Sequence, residues 1–228
     1  MAFGLPDTGG DFLPLLTFNA KSGRFSLVEK VEGRNGTFEK EEQELETSQV
    51  VFVADFSTAR KGWLLFRKGG APVKVVNGIE DPMPPEPEGD FGTDDKGNPI
   101  RPRGGFILHV VTADHKLREF ASNATACVNG MGAIMDQYLD EAAAHPGQIP
   151  MVRLVKVAKV GRNQNYQPTM EIVKWVDRKP DEWGAGPAIT YRPRPAASAR
   201  PSMASQMNGG GGNGAGNGAD LAGDRIPF

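Results

Sequence analysis

The chain of 228 residues contains a single cysteine, Cys127. It can therefore form neither an internal disulfide nor a zinc cluster built on several cysteines. No apolar run approaches the roughly 18 residues that a membrane-spanning helix requires. No Lys or Arg precedes Lys21, so the start does not resemble a secretory signal peptide. These absences favour a protein of a reducing compartment, and we expect it in the cytoplasm.

Signatures of catalysis and of cofactor binding are also missing. Gly92 and Gly97 have the spacing of a phosphate-binding loop, but Asn98 and Pro99 follow where that loop needs Lys and Ser or Thr. The sequence has no G-x-S-x-G nucleophile motif and no H-E-x-x-H zinc motif. Cys127 falls on the apolar face of a predicted helix, which favours a buried structural thiol. We therefore expect no enzyme, no metal site and no cofactor.

The net charge of −2 hides an uneven distribution. Twelve of the 26 acids in residues 1–184 fall in two short stretches, 39–46 and 80–95, which contain one base. The remainder of residues 1–184 carries 21 bases against 14 acids, a net charge of +7. This pattern fits a basic surface for an anionic partner. It also fits a solvated surface on which acidic loops and basic strands alternate.

Glycine and proline are abundant at the C-terminal end. Seven of the eleven residues from Asn208 to Gly218 are glycine, and few aliphatic residues follow Gly184. Such a segment buries too little apolar area to offset its ordering entropy. We therefore predict a domain over 1–184, a disordered linker over 185–219 and a short tip over 220–228.

The predicted domain is mainly β. Leu13–Ala20 and Arg24–Val31 form one predicted hairpin, and Gln49–Phe56 and Gly62–Lys68 form a second around the turn Ser57–Lys61. Gly70–Gly104 is rich in proline, glycine and acids, which predicts a long loop. Further strands are predicted at Gly105–Thr112, Pro150–Val160 and Thr169–Asp177.

One helix is predicted over Ala124–Ala144, because its apolar residues recur at helical spacing up to the stop at Pro146 and Gly147. Gly130 and Gly132 within it weaken the helix and indicate close packing. A helix placed before the last strand pair of a small β-barrel suits an OB-fold, a five-stranded Greek-key barrel. A β-sandwich with a packed helix is the alternative.

Basic and aromatic residues are interleaved along the predicted strands and loops. Binders of single-stranded nucleic acid need this combination, because cations follow the phosphates and aromatic rings stack on bases. Core packing is the competing role for each aromatic residue. The candidate residues for DNA binding are Lys61, Trp63, Phe66, Arg67, Lys68, Arg101, Arg103, Arg153, Lys156, Lys159, Arg162, Tyr166, Lys174 and Trp175.

The C-terminal residues indicate a particular class of protein. The chain ends Asp224-Arg225-Ile226-Pro227-Phe228 after the glycine-rich linker. This ending resembles the tip of bacterial single-stranded DNA-binding proteins, whose tails end in several acids followed by Ile-Pro-Phe. It departs from that pattern in having only two Asp residues and an Arg before the Ile. The Gly70–Gly104 segment and the run Tyr166–Val176 are more similar to versions that phages or prophages encode.

The resemblance implies a non-catalytic protein that binds single-stranded DNA with little sequence preference during replication, recombination or repair. It implies that the tip recruits proteins of those processes, through Asp220, Asp224, Ile226, Pro227 and Phe228. We further expect a homodimer. Two alternatives remain, a strand-annealing recombination factor and a phage structural or interaction module that binds no nucleic acid.

Overall fold

A computed structural model describes residues 13–32, 38–66, 72–94, 96–162 and 164–179. Within these ranges the chain forms one α-helix, two short 3₁₀ turns and nine strands. The helix α1 spans Thr125–Glu141, and the 3₁₀ turns are Thr47–Gln49 and Ala142–Ala144. The strands are β1 Leu15–Asn19, β2 Arg24–Glu32, β3 Phe38–Leu45, β4 Val51–Leu65, β5 Val73–Gly78, β6 Arg103–Thr112, β7 Leu117–Ser122, β8 Gln148–Val160 and β9 Asn165–Asp177. The predicted linker and tip lie outside the described residues.

The nine described strands belong to one sheet that curls into a half-barrel. Its order is β3-β2-β1-β7-β6-β4-β8-β9, and β5 also pairs with β4. Neighbouring strands run antiparallel, except that β1 and β7 are parallel. The Tyr166 N–H at the start of β9 donates to the Ala20 carbonyl just after β1, at 2.7 Å. This bond brings two distant parts of the strand order together. The mainly β prediction with one helix is confirmed, but the expected five strands are too few.

The core lies between one face of this sheet and α1. Five buried phenylalanines pack at its centre, with ring centroids 4.8–6.0 Å apart: Phe18, Phe25, Phe52, Phe106 and Phe120. The helix contributes the residues that the 3.6-residue period predicts, including Cys127, Met131 and Ile134. Cys127 is fully buried, which confirms the predicted buried thiol, and this burial raises its pKa to about 12.

Close contact between α1 and β9 depends on Gly130. A Cβ at that position would lie 2.5 Å from the Pro168 carbonyl oxygen. Real Cβ atoms do not approach a backbone oxygen so closely, so the helix can sit against β9 only because the side chain is absent. The predicted close packing is confirmed at Gly130, and Gly132 is buried as well.

The predicted hairpin around Ser57–Lys61 is wrong, because β4 runs through it as one strand of 15 residues. Asp55 pairs with His109 and Arg60 with Ile107, so four residues bulge opposite one on β6. The Asp55 carboxylate accepts the Ser57 N–H at 3.0 Å, and the Asp55 carbonyl accepts the Thr58 hydroxyl at 2.7 Å. These polar residues satisfy one another inside a bulge, so the strand bends without reversing.

The predicted loop over Gly70–Gly104 contains a strand, β5, which pairs with residues 60–65 of β4. The pairing is tight, since a Cβ on Gly62 would lie 2.1 Å from the Val75 carbonyl oxygen. The described residues between β5 and β6 are irregular, as predicted, but they are anchored. The Trp63 Nε1 donates to the Pro84 carbonyl and the Asn77 Nδ2 to the Pro82 carbonyl, both at 2.9 Å.

Two further strands lack a signal in the sequence pattern. The β3 sequence shows no apolar alternation because β3 is the outermost strand beside β2, with exposed side chains over residues 40–44. The β7 sequence places Arg118 on a buried position, where an apolar residue would have revealed the period. The predicted β1–β2 hairpin is confirmed, as is the final pair, although β8 begins at Gln148 and β9 at Asn165.

Candidate nucleic-acid interface

The predicted DNA-binding residues that the structure describes fall into two groups. One group lies on the hairpin of β8 and β9, which we call the basic ribbon and define as residues 148–177. The other lies at the end of β4 and the start of β6, beside the loop that joins β5 to β6. Arg67 and Lys68 lie outside the described residues, as do the five candidates of the tip.

The basic ribbon carries five bases and two acids, a net charge of +3. All five bases are exposed: Arg153, Lys156, Lys159, Arg162 and Lys174. From Met151 to Leu154, buried residues alternate with more exposed ones along β8. From Val155 to the strand end every residue except the half-buried Val157 is exposed, so both faces of this part meet solvent. The ribbon therefore extends beyond the core and presents its cations on both faces.

Tyr166 provides an aromatic surface on this ribbon. It is half-buried, pairs with Lys159 across the hairpin, and has the Lys159 ammonium 5.4 Å from its ring centroid. Its ring packs against the turn between β1 and β2, where a Cβ on Gly23 would lie 2.8 Å from the ring. Gly23 has a φ of +74°, so the turn needs glycine for its conformation as well as for this contact.

A cleft separates the base of the ribbon from the 3₁₀ turn that precedes β4. Its volume is about 550 Å³, and its lining includes Thr47, Ser48 and Val155. Arg153 lies on its rim and forms an ion pair with Glu171, its partner in the β8–β9 register. Paired charges line this cleft, whereas the lysines further along the ribbon face solvent.

The second group is less accessible. Lys61 is buried, and burial lowers its pKa although nearby Asp81 acts in the opposite direction. Trp63 is half-buried and holds the loop through the Pro84 carbonyl. Phe66 is half-buried, and Arg101 and Arg103 are exposed. Trp63 therefore serves the packing of the loop, which carries all seven acids of residues 80–95, and Lys61 is buried near Asp81 of the same loop.

Trp175 has a packing role as well. Its ring stacks on the His145 imidazole at a centroid distance of 4.4 Å and an interplanar angle of 11°. It also stacks on Tyr138 at 5.8 Å. The tryptophan thus fastens β9 to the end of α1, the role that competes with base stacking. Its neighbour Lys174 is exposed.

Sequence reasoning missed a polar cluster on β4 to β7. Arg60 lay in a predicted turn and Lys74 in a predicted loop, and both belong to strands of the sheet. The Lys74 ammonium lies 2.5 Å from the Glu119 carboxylate, and Glu119 pairs with His109. Burial lowers the pKa of His109, with Glu119 and Asp55 opposing that shift. In the sequence, His109 alternates with the apolar Ile107 and Val111. This spacing could have indicated that His109 lies on the same face of β6 as those two residues.

Comparisons with known proteins give no relative that bears on this interface. No protein-family model matches the chain, and neither curated proteins nor solved structures give a match. Across the described ranges, no helix combines the length and apolar character needed to cross a membrane. The same residues contain no group of three or more His, Cys, Asp or Glu side chains arranged to hold a metal ion.

Proposed function

We propose that this chain is a non-catalytic single-stranded DNA-binding protein whose core is an OB-fold with additional strands. The observation that carries the proposal is the basic ribbon. It exposes five cations on a two-stranded arm, with Tyr166 among them. Single-stranded DNA offers a flexible line of phosphates and unstacked bases, which such an arm can follow without reading sequence.

The connectivity supports the OB-fold assignment. The long β4 pairs with β6 on one side and with β8 on the other, and β6–β7 and β8–β9 are hairpins. The only described α-helix connects these two hairpins. Five strands with one helix before the last pair are the arrangement expected of this Greek-key barrel.

The additional strands β1 and β2 occupy the place where such a barrel would close. β1 pairs in parallel with β7, and the residue after β1 accepts the hydrogen bond from Tyr166 at the start of β9. The β1–β2 hairpin therefore stands between β7 and β9. An inserted hairpin widens the barrel and accounts for the half-barrel curl of a sheet with nine described strands.

The proposal includes recruitment of partner proteins by the tip, which rests on the sequence alone. A terminal Phe228 offers one apolar anchor, and its α-carboxylate offers two acceptors to a basic pocket. Asp224, Ile226 and Pro227 complete the match to the tips of bacterial single-stranded DNA-binding proteins. The glycine-rich linker would let this tip reach a partner while the domain holds DNA.

The test is a titration of the full chain with fluorescent oligo-dT of about 35 nucleotides, a length that spans several typical binding sites. Anisotropy is followed at several salt concentrations, with duplex DNA as competitor. We expect tight binding that weakens with salt and that duplex does not displace. The slope against the logarithm of salt concentration gives the number of phosphates contacted, at roughly 0.7 per phosphate for single strands. Absence of binding at low salt would reject the proposal.

A double variant locates the interface. Lys156→Glu with Lys159→Glu reverses two exposed charges of the ribbon, and we expect affinity to fall about tenfold or more with a shallower salt slope. The matched control is Lys30→Glu with Lys96→Glu, which changes the net charge equally on exposed residues of β2 and of the loop before β6. Equal losses in both variants would show that net charge, and not the ribbon, determines binding.

A further inference from the structure

Three described strands are edge strands, each paired with a single described neighbour. β3 and β9 end the strand order, and β5 pairs only with β4. β9 lies against α1 at Gly130, and its start bonds to Ala20. β3 carries Glu41, Glu42 and Glu44, so a second copy of β3 beside it would oppose like charges. β5, Val-Lys-Val-Val-Asn-Gly, has a single charge and neither of these protections.

The hydrogen-bond pattern identifies which β5 groups are open. The Ile79 N–H donates to the Ala59 carbonyl at 3.1 Å, which extends the β4–β5 register by one pair. Backbone groups alternate in direction along an antiparallel strand, so those of Val73, Val75 and Asn77 point to β4. Those of Lys74, Val76 and Gly78 point away.

The outward groups of Gly78 are already used within the chain. Its N–H donates to the Asp81 carboxylate, and its carbonyl accepts the Asp81 N–H, both at 3.1 Å. Among the described residues no hydrogen bond is made by the outward backbone groups of Lys74 or Val76. Pro72, just before β5, has no N–H to offer. The open edge therefore consists of two residues.

A second copy of β5 fits this edge. With an antiparallel two-fold axis at Val75, Lys74 faces Val76 of the other copy and Val76 faces Lys74. The four outward N–H and C=O groups of each copy then find partners, and no like charges stand directly opposite. Val75 meets its own copy, and Trp63, its register partner on β4, lies beside it on the same face.

We propose that β5 is a homodimer contact, in which the sheets of two chains join antiparallel through Lys74 and Val76 about a two-fold axis at Val75. This contact is isologous, so it closes at two chains and does not build a filament. The half-buried state of Val73, Val75 and Val76 in the single chain leaves apolar area that the second copy covers. The contact does not depend on DNA binding.

Sedimentation velocity of the full chain over a range of concentrations is the first measurement, and we expect a reversible dimer. Val76→Pro removes an outward N–H and keeps the bonds to β4, a position at which an edge strand tolerates proline. Two donors are lost per dimer and two acceptors left unpaired, so the dimer dissociation constant should rise about tenfold or more. Circular dichroism and thermal unfolding verify that the variant is folded.

A cysteine variant tests the axis without weakening the fold. In the proposed register Val75 and its copy form a non-hydrogen-bonded pair, whose close Cβ atoms suit a disulfide. Val75→Cys should therefore give a covalent dimer on mild oxidation, while Val31→Cys, on an exposed β2 residue, should not. Cys127 is fully buried and does not compete.

A chain that sediments as a monomer at every concentration, and whose Val75→Cys variant forms no cross-link, would overturn the proposal. So would a dimer that Val76→Pro leaves unchanged and that cross-links equally through either introduced cysteine. A monomer that binds oligo-dT would leave the proposed function intact, and a β5 dimer that binds no DNA would leave the contact intact.

Discussion

At the scale of single residues, the least expected feature is the buried ion pair of Asp55 with Arg178. Asp55 is fully buried in the β4 bulge, and its carboxylate accepts the Arg178 Nε at 3.0 Å. It also accepts the N–H and hydroxyl of Ser57. Burying a carboxylate is costly unless its oxygens are matched in this way. The pair joins the bend of β4 to the residue that follows β9.

Asp55→Asn should therefore destabilise the protein strongly, because it removes the buried negative charge that the largely buried Arg178 guanidinium faces. We expect a loss of about 3 kcal/mol in the free energy of unfolding, the lower end for breaking a buried pair. Urea denaturation followed by circular dichroism measures it.

Asp177→Asn is the control, since Asp177 is the exposed neighbour of Arg178 and ends β9. It should change the midpoint of unfolding little. A loss at Asp55 no larger than that at Asp177 would mean that the bulge, and not the ion pair, holds this end of the sheet.

At the scale of elements, a charged network joins β2 to β7. Arg118 is fully buried on β7 and donates to the Glu29 and Asp114 carboxylates at 2.5 and 2.7 Å. Its Nε donates to the Thr112 hydroxyl at 2.9 Å. Lys116 also donates to Glu29. Between these strands stands β1, so the network bridges across one strand of the sheet.

This network makes stability depend on pH in the acid range. Hydrogen bonds from Lys116 and Arg118 lower the pKa of Glu29 below its usual 4.5. For Asp114, burial acts upward, but bonds from Thr112 and Arg118 prevail and lower its pKa below 3.8. A carboxyl with a depressed folded pKa contributes stability above the unfolded value, which is lost as pH falls through the folded value.

We therefore expect the midpoint of urea unfolding to fall as pH drops below about 4.5, the usual value for Glu29. Glu29→Gln should be less stable at neutral pH and should show a weaker decline with acid. Glu46→Gln, at the residue that precedes the 3₁₀ turn Thr47–Gln49, serves as a carboxylate control outside the network. Parallel pH curves for Glu29→Gln and the unmodified chain would contradict this assignment.

At the scale of the whole molecule, the proposed function divides between two regions. The domain would hold single-stranded DNA through the ribbon, and the tip would hold a protein. The tip has two acids and one base over 220–228, so its net charge is small. A segment of such low charge competes poorly with DNA for a basic surface.

Deletion of Asp220–Phe228 should therefore leave the affinity for oligo-dT within about twofold, since few charges are removed. The immobilised full chain should capture partner proteins, and the immobilised deletion variant should capture none. Phe228→Ala, which removes the apolar anchor alone, should reproduce the loss of capture. A large loss of DNA affinity on deletion would reject this division of roles.

The residue pattern alone determined several parts of this protein. The α1 period, the β1–β2 hairpin and the final strand pair were predicted because each is a local signal: helical spacing, a Gly23 turn, or an apolar run with clear ends. The bases Arg153, Lys156 and Lys159 were placed along a predicted strand, which the structure shows as β8. Cys127 was predicted as buried from its place in the helical period. These properties depend on residues close together in the chain.

Only the tertiary structure decided the rest. Whether Ser57 and Thr58 form a turn or a bulge depends on His109 across the sheet, and β5 exists because β4 offers an edge beside Gly62. β3 and β7 carry no apolar alternation because one is exposed and the other buries Arg118. Trp63 packs against the proline-rich loop and Trp175 against the side chain of Tyr138 on α1, and both contacts join residues far apart in the chain. Such partners are far apart in sequence, so no local pattern records them.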